Sequence, residues 1–277
     1  MDESSLAADE GEYLDPGYDP QTPDGDNQLL DFVRAETALW TSWGDAMDAE
    51  VVHDDTGAVW VDSGCLSVFG NPVIWARPVD SDHAADLVSG MRATFANRSG
   101  GPFLLYSPFP TPNLTSLGLS PVGHPPCMVR MPGVGDVTPD ADGLDVRRVT
   151  DQQGLDDFER TLVEAYPIDE VQPWRRGVMM GSGLLEHPRW HIYVGYLDGQ
   201  PVATSAAYVT DHAVDVTLVS ARPAARGRGV GRAMTAAAAL TDPTKPAMLL
   251  ASDDGQSVYR RLGFATISRF TLWVGTR

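Results

Sequence analysis

The chain has 277 residues, 43% of them hydrophobic, and a formal net charge of −18. That length suffices for two domains of ordinary size, and no apolar run approaches the roughly 18 residues that span a membrane. The acidic balance disfavours nucleic acid, because neutralising phosphates needs a basic footprint, and it suits a cationic substrate or partner. Two cysteines, Cys65 and Cys127, are too few for a disulfide scaffold, so a reducing cytoplasm is expected. No Cys/His cluster has metal-ligand spacing, so no metal is expected.

Residues 1–28 carry nine Asp and Glu and no Lys or Arg. They read as a disordered acidic tail, with no apolar h-region that would suggest export. Leu29, Phe32, Val33, Trp40, Trp43 and Met47 then mark one face of an amphipathic helix. Strands follow between Val51 and Ile74, broken at 54–57 and 70–71. The Gly/Pro/Asp-rich stretch 132–143 reads as a linker between a first domain, 29–131, and a second, 144–277.

The second half predicts a strand over 144–149 and a helix near 152–165 with Asp151 as its N-cap. A second helical segment is expected over 171–185. Strands over 190–196 and 201–209 flank Asp198-Gly199-Gln200, a hairpin signal. A strand over 213–220, a helix over 229–240, a strand over 247–251, a helix over 255–262 and a strand near 265–275 complete the half.

Between that 213–220 strand and its helix lies Arg226-Gly-Arg-Gly-Val-Gly-Arg232. Glycines at 227, 229 and 231 leave backbone amides unshielded where a helix presents its orphan N–H groups and positive dipole end. Such a corner binds phosphate, and Arg226, Arg228 and Arg232 add charge-assisted donors. Downstream, Tyr259-Arg-Arg-Leu-Gly263-Phe264 closes a short helix on a glycine cap.

The Arg-x-x-Gly-x-Gly loop followed by Tyr-x-x-x-Gly-Phe resembles the GNAT superfamily of N-acetyltransferases over residues 144–277. The resemblance implies an α/β (α+β) fold: a twisted, mostly antiparallel mixed sheet flanked by helices. It also implies acetyl-CoA as co-substrate, held by Leu218, Val219 and Ser220 along the strand edge and by Arg226, Gly227, Arg228, Gly229, Val230, Gly231 and Arg232 at the pyrophosphate. Ser252 stands where many members carry an Asn that contacts pantetheine.

Tyr259 is the candidate acid for the leaving thiolate. Asp215, eleven positions before Arg226, is the candidate base, with Glu164, Asp169 and Glu170 as alternatives. Tyr166 and Trp174, with Pro167, Met179 and Met180 nearby, are candidates for the amine pocket. His191 and His212 are read as structural. The function expected is acetyl transfer to a primary amine of a small molecule, peptide or protein, by a monomer or homodimer. A non-catalytic CoA-binding module, and an acyltransferase for longer acyl groups or a hydroxyl acceptor, are the other readings.

An internal repeat runs at a constant offset of 145 residues. Ala76-Arg77-Pro78 falls on Ala221-Arg222-Pro223, Leu104-Leu105 on Leu249-Leu250, and Leu117-Gly118-Leu119 on Leu262-Gly263-Phe264. Two tandem copies of the fold are therefore expected. In the first copy the phosphate corner is broken: Ser81, Asp82, Ala84 and Asp86 stand for Arg226, Gly227, Gly229 and Gly231, and Leu114 stands for Tyr259.

Overall fold

A computed structural model describes residues 18–97, 101–135, 141–166 and 168–276. Helix α1 (Gln28–Ala46) begins where Asn27 Oδ1 accepts the amides of Leu29 and Leu30. Its stripe Phe32, Leu39 and Trp43 is almost wholly buried. The expected tail lies mostly outside the described residues, but its last eleven are placed against the fold. Tyr18 packs edge-on to Phe109 at 5.3 Å, and Asp24 pairs with Arg34 at 2.8 Å.

After α1 come β1 (Glu50–His53), β2 (Ala58–Asp62), β3 (Pro72–Trp75), α2 (Ser81–Asn97), β4 (Phe103–Ser107), β5 (Leu119–Gly123) and β6 (Pro126–Arg130). The second half runs β7 (Asp145–Arg148), α3 (Gln152–Ala165), β8 (Trp190–Leu197), β9 (Gln200–Val209), β10 (Val214–Ala221) and α4 (Val230–Ala239). It ends with β11 (Ala247–Leu250), α5 (Gln256–Arg261), β12 (Ala265–Arg269) and β13 (Thr271–Gly275). The strand expected near 265–275 is thus two strands.

Those two strands part company. One sheet has the order β1-β2-β3-β4-β13-β5, the other β7-β8-β9-β10-β11-β6-β12. The last strand of each half sits inside the other half's sheet. β6 pairs with β11 and β12, and β13 pairs with β4 and β5. Adding 145 to the bounds of β6 gives those of β13. The two strands therefore occupy equivalent places in sheets of equivalent order, exchanged. Each sheet contains one parallel pair, β3 with β4 and β10 with β11, among antiparallel neighbours.

Helix α1 lies at the junction. Phe32 and Val33 pack on Cys127, Met248 and Phe270, while Leu39 and Trp43 pack on α3, β8 and β9. Burying side chains of this size removes about 1.5–3 kcal/mol of apolar hydration cost each, so this helix welds the two sheets together.

The helical segment expected over 171–185 is absent. Two single turns, at Asp169–Val171 and Ser182–Leu185, bracket an irregular stretch. The cause is Glu159 on α3, which is 1% exposed. Its carboxylate accepts the amides of Gly177, Met179 and Met180 at 2.8, 2.6 and 2.9 Å, and the Trp174 indole N–H at 3.1 Å. Amides gathered on one side chain cannot also serve a helical ladder.

Candidate active site

β10 and β11 stay paired only at Val214↔Ala247 and Asp215↔Met248. Beyond that point they diverge. On the other side, the β10–β9 register slips between Thr217 and Ser220, and Leu218 takes φ +52°. A left-handed leucine costs about 1–2 kcal/mol, and it persists because the Thr204 hydroxyl donates to the Leu218 carbonyl at 2.8 Å. The bulge and the splay open a cavity of about 200 Å³ between the strands.

Val216 to Val219 line one wall and Leu249, Leu250 and Ser252 the other, with Tyr259 in the gap. Tyr259 is 9% exposed, and burial pushes its hydroxyl well above the ordinary tyrosine range, so it keeps its proton. Ser252 Oγ accepts the Gly255 amide at 3.2 Å at the start of α5. The Tyr166 hydroxyl reaches across and donates to the Val219 carbonyl at 2.9 Å. Ser220 lies behind the wall, its hydroxyl 2.7 Å from that of Thr204.

The glycine loop turns directly into α4. Gly227 and Gly229 have φ of +76° and +80°, and Gly229 is the N-cap of α4. Among the described residues, no backbone carbonyl accepts from the amides of Gly227, Arg228, Gly229, Val230 or Gly231. A Cβ on Gly227 or Gly231 would meet nothing within 4 Å. Open space over several unspent N–H groups fits an anionic diphosphate.

Arg228 is exposed. Arg226 is engaged otherwise than expected, donating to the carbonyls of Ala221 and Ala165 at 3.1 and 3.0 Å, so it ties the loop to α3. In the first sheet the equivalent stretch is already helix. Ser81 opens α2, and Asp80 accepts the His83 amide at 2.9 Å.

Residues 188–266 match the family model described as an acetyltransferase (GNAT) domain. Over that stretch the chain is similar to a GNAT acetyltransferase domain. Solved structures of similar fold include a GCN5-related N-acetyltransferase from Kribbella flavida, 20% identical with a TM-score of 0.60, covering 86% of this chain and 94% of that one. A conserved protein of unknown function from Staphylococcus epidermidis is 14% identical with a TM-score of 0.58, covering 83% and 95%. A GCN5-related N-acetyltransferase-like protein from Streptococcus suis is 12% identical with a TM-score of 0.51, covering 90% and 100%. At these identities the likeness establishes the fold. No curated protein matches the sequence.

Within residues 188–266 the expected base lies away from the cavity. Asp215 is 0% exposed and absent from the cavity wall. Strand alternation sends Val214 and Val216 toward α4 and α5, and Asp215 to the opposite face, beneath α1. Neither of its carboxyl oxygens has a hydrogen-bond partner among the described residues. Burial, with Glu36 close by, pushes Asp215 well above the usual carboxylate range.

Glu164 pairs with Arg222 at 2.7 Å, and Asp169 and Glu170 are exposed; none lines the cavity. Trp174 is likewise elsewhere, held by Glu159 and stacked under Arg160 at 4.4 Å. Met179 and Met180 do line the cavity. Pro167 lies outside the described residues. His191 is half-buried and His212 exposed, both away from the cavity.

The residue that sequence reasoning missed is Glu36 on α1. It is 7% exposed and lines the cavity together with Trp40, Trp43 and Tyr106. Burial raises its carboxyl to about 7, with the Trp40 indole acting the other way. Its signal was available: Glu36 stands four residues after Phe32 and four before Trp40, an acid inside the apolar stripe of the helix.

Proposed function

We propose that the protein is an acetyl-CoA-dependent N-acetyltransferase that acts on a primary amine. The observation that carries this reading is the parting of β10 from β11 with the protonated Tyr259 in the gap. The loop supports it, since the amides of Gly227 to Gly231 suit the cofactor's pyrophosphate. When bound, acetyl-CoA supplies an acetyl group already activated as a thioester.

The chain's own residues do the rest. The amides at the N-terminus of α4 hold the anionic end without a reorganisation cost. The walls from Val216 to Val219 and from Leu249 to Leu250 exclude water and align the acyl end toward Tyr259. Tyr259 Oη holds a proton and gives it to the departing sulfur.

We further infer two tandem copies of one fold, with a single cofactor corner in the second. The first copy contributes β6 and α1 instead. Two free, buried cysteines and the acidic balance suit a cytoplasmic enzyme with a small-molecule or peptide amine substrate and no nucleic-acid partner.

Calorimetry with acetyl-CoA on the full chain tests this reading beside Gly231→Asp, which places a carboxylate over the cradle where a side chain has room. One site per chain, lost in the variant, is expected. Two sites, or unchanged affinity in the variant, would refute the assignment of the loop.

A further inference from the structure

The cavity is lined from both halves of the chain: Tyr259 comes from the second and Glu36 from the first. Glu36 is the cavity's one acidic lining residue, and no Lys, Arg or His lines it among the described residues. A carboxylate with no basic side chain beside it in the cavity wall has its charge uncompensated by the protein. The groups facing it are Asp215 from β10, Tyr106 from β4 and Cys127 from β6, with Trp40 on its own helix. Tyr166 and Tyr259 complete the titratable lining.

We propose that Glu36 binds the acceptor's ammonium group and takes its proton, and that the acceptor is a primary amine on an apolar stem. The proposal rests on the transferase reading above for its second substrate. Trp40, Trp43, Met179 and Met180 line the same cavity with apolar and π surface. Such walls accept a hydrocarbon stem and the face of a cation. Asp215 is wholly buried near Glu36, and burial together with that neighbour pushes its carboxyl well above the usual carboxylate range.

The step balances. Glu36 takes one proton from the ammonium, which frees a lone pair on nitrogen. That pair forms the N–C bond to the thioester carbonyl carbon as the C–S bond breaks. Tyr259 gives its proton to the sulfur and regains one from the nitrogen as the amide forms. Glu36 then releases its proton to water.

The test needs no knowledge of the natural acceptor. n-Hexylamine and 1-hexanol are titrated calorimetrically into the full-length protein and its Glu36→Gln variant, at about pH 5.5 and about pH 8. A hydrogen-bonded charge in a dry site distinguishes the two probes by about tenfold or more. The wild type is expected to prefer the amine at the higher pH and to lose that preference at the lower. The variant is expected to show no preference at either.

Equal binding of amine and alcohol by the wild type at about pH 8, absence of amine binding there, or a preference that survives Glu36→Gln would each overturn the proposal. If the variant does not fold, the wild-type pH dependence alone decides. Acetyl-CoA binding is measured separately. Its absence beside an intact amine preference would sink the transferase reading while upholding the amine site.

Discussion

Trp43, in the last turns of α1, donates its indole N–H to the carbonyl of Met179 at 2.8 Å. The bond joins residues 136 positions apart. It seats the helix of the first half on the irregular segment that walls the cavity of the second. A close approach nearby reinforces it, because a Cβ on Gly181 would lie 1.8 Å from the Ala46 carbonyl oxygen. The site is therefore a joint product of both halves, although the recognisable motifs belong to one.

Tyr259→Phe removes the proton donor and leaves the ring. Turnover should fall roughly 10- to 1000-fold, the scale of losing general acid catalysis. Acetyl-CoA affinity should stay within about a factor of three, since the ring still fills its place against Phe264. Steady-state kinetics beside calorimetry separates the two; full activity would remove Tyr259 from the chemistry.

Glu36 makes stability depend on pH with a definite sign. Its carboxyl is raised from 4.5 to about 7 in the folded chain. Between those values the unfolded chain releases a proton that the folded chain keeps, so stability is greatest below 4.5 and falls as pH rises toward 7. The loss is about 3 kcal/mol for this group. Asp215, also raised by burial, acts in the same direction. Glu36→Gln should thus raise the melting temperature relative to wild type at pH 8 and not at pH 4.5. Parallel melting curves across pH would contradict this.

Glu159→Ala leaves three backbone amides and an indole N–H without their acceptor. Stability should drop by about 3 kcal/mol or more, since an unpaired buried donor costs about 1–3 kcal/mol. Denaturant unfolding reads this directly. A loss under about 1 kcal/mol would mean that water replaces the carboxylate.

The exchange of β6 and β13 predicts one cooperative unit. Each sheet holds, between two of its own strands, a strand from the other half. Urea unfolding followed by fluorescence and by circular dichroism should give coincident transitions. Two separated transitions would show that the sheets fold independently.

The glycine loop and Tyr259 could be singled out in sequence because their signals are local. Gly227, Gly229 and Gly231 act through their own backbone at the start of α4, and Tyr259 lies within the same strand-helix-strand run. The 145-residue offset likewise showed in sequence and reappears as equivalent strand order. Other readings depended on distant partners. The stretch 171–185 could not be read as irregular, because the carboxylate that gathers its amides comes from Glu159. Asp215 has the right spacing for a base, yet α1 covers the face it occupies.

By itself the sequence determined most of the elements and the glycine-rich turn before α4, since each follows from backbone freedom or side-chain period over a few residues. Tertiary structure alone decided which sheet receives β6 and which receives β13, because strands with equivalent patterns can pair equally well in either sheet until the whole chain closes. It alone brought Glu36 and Tyr259 to one cavity, because a cavity between two halves has no address in either half's sequence.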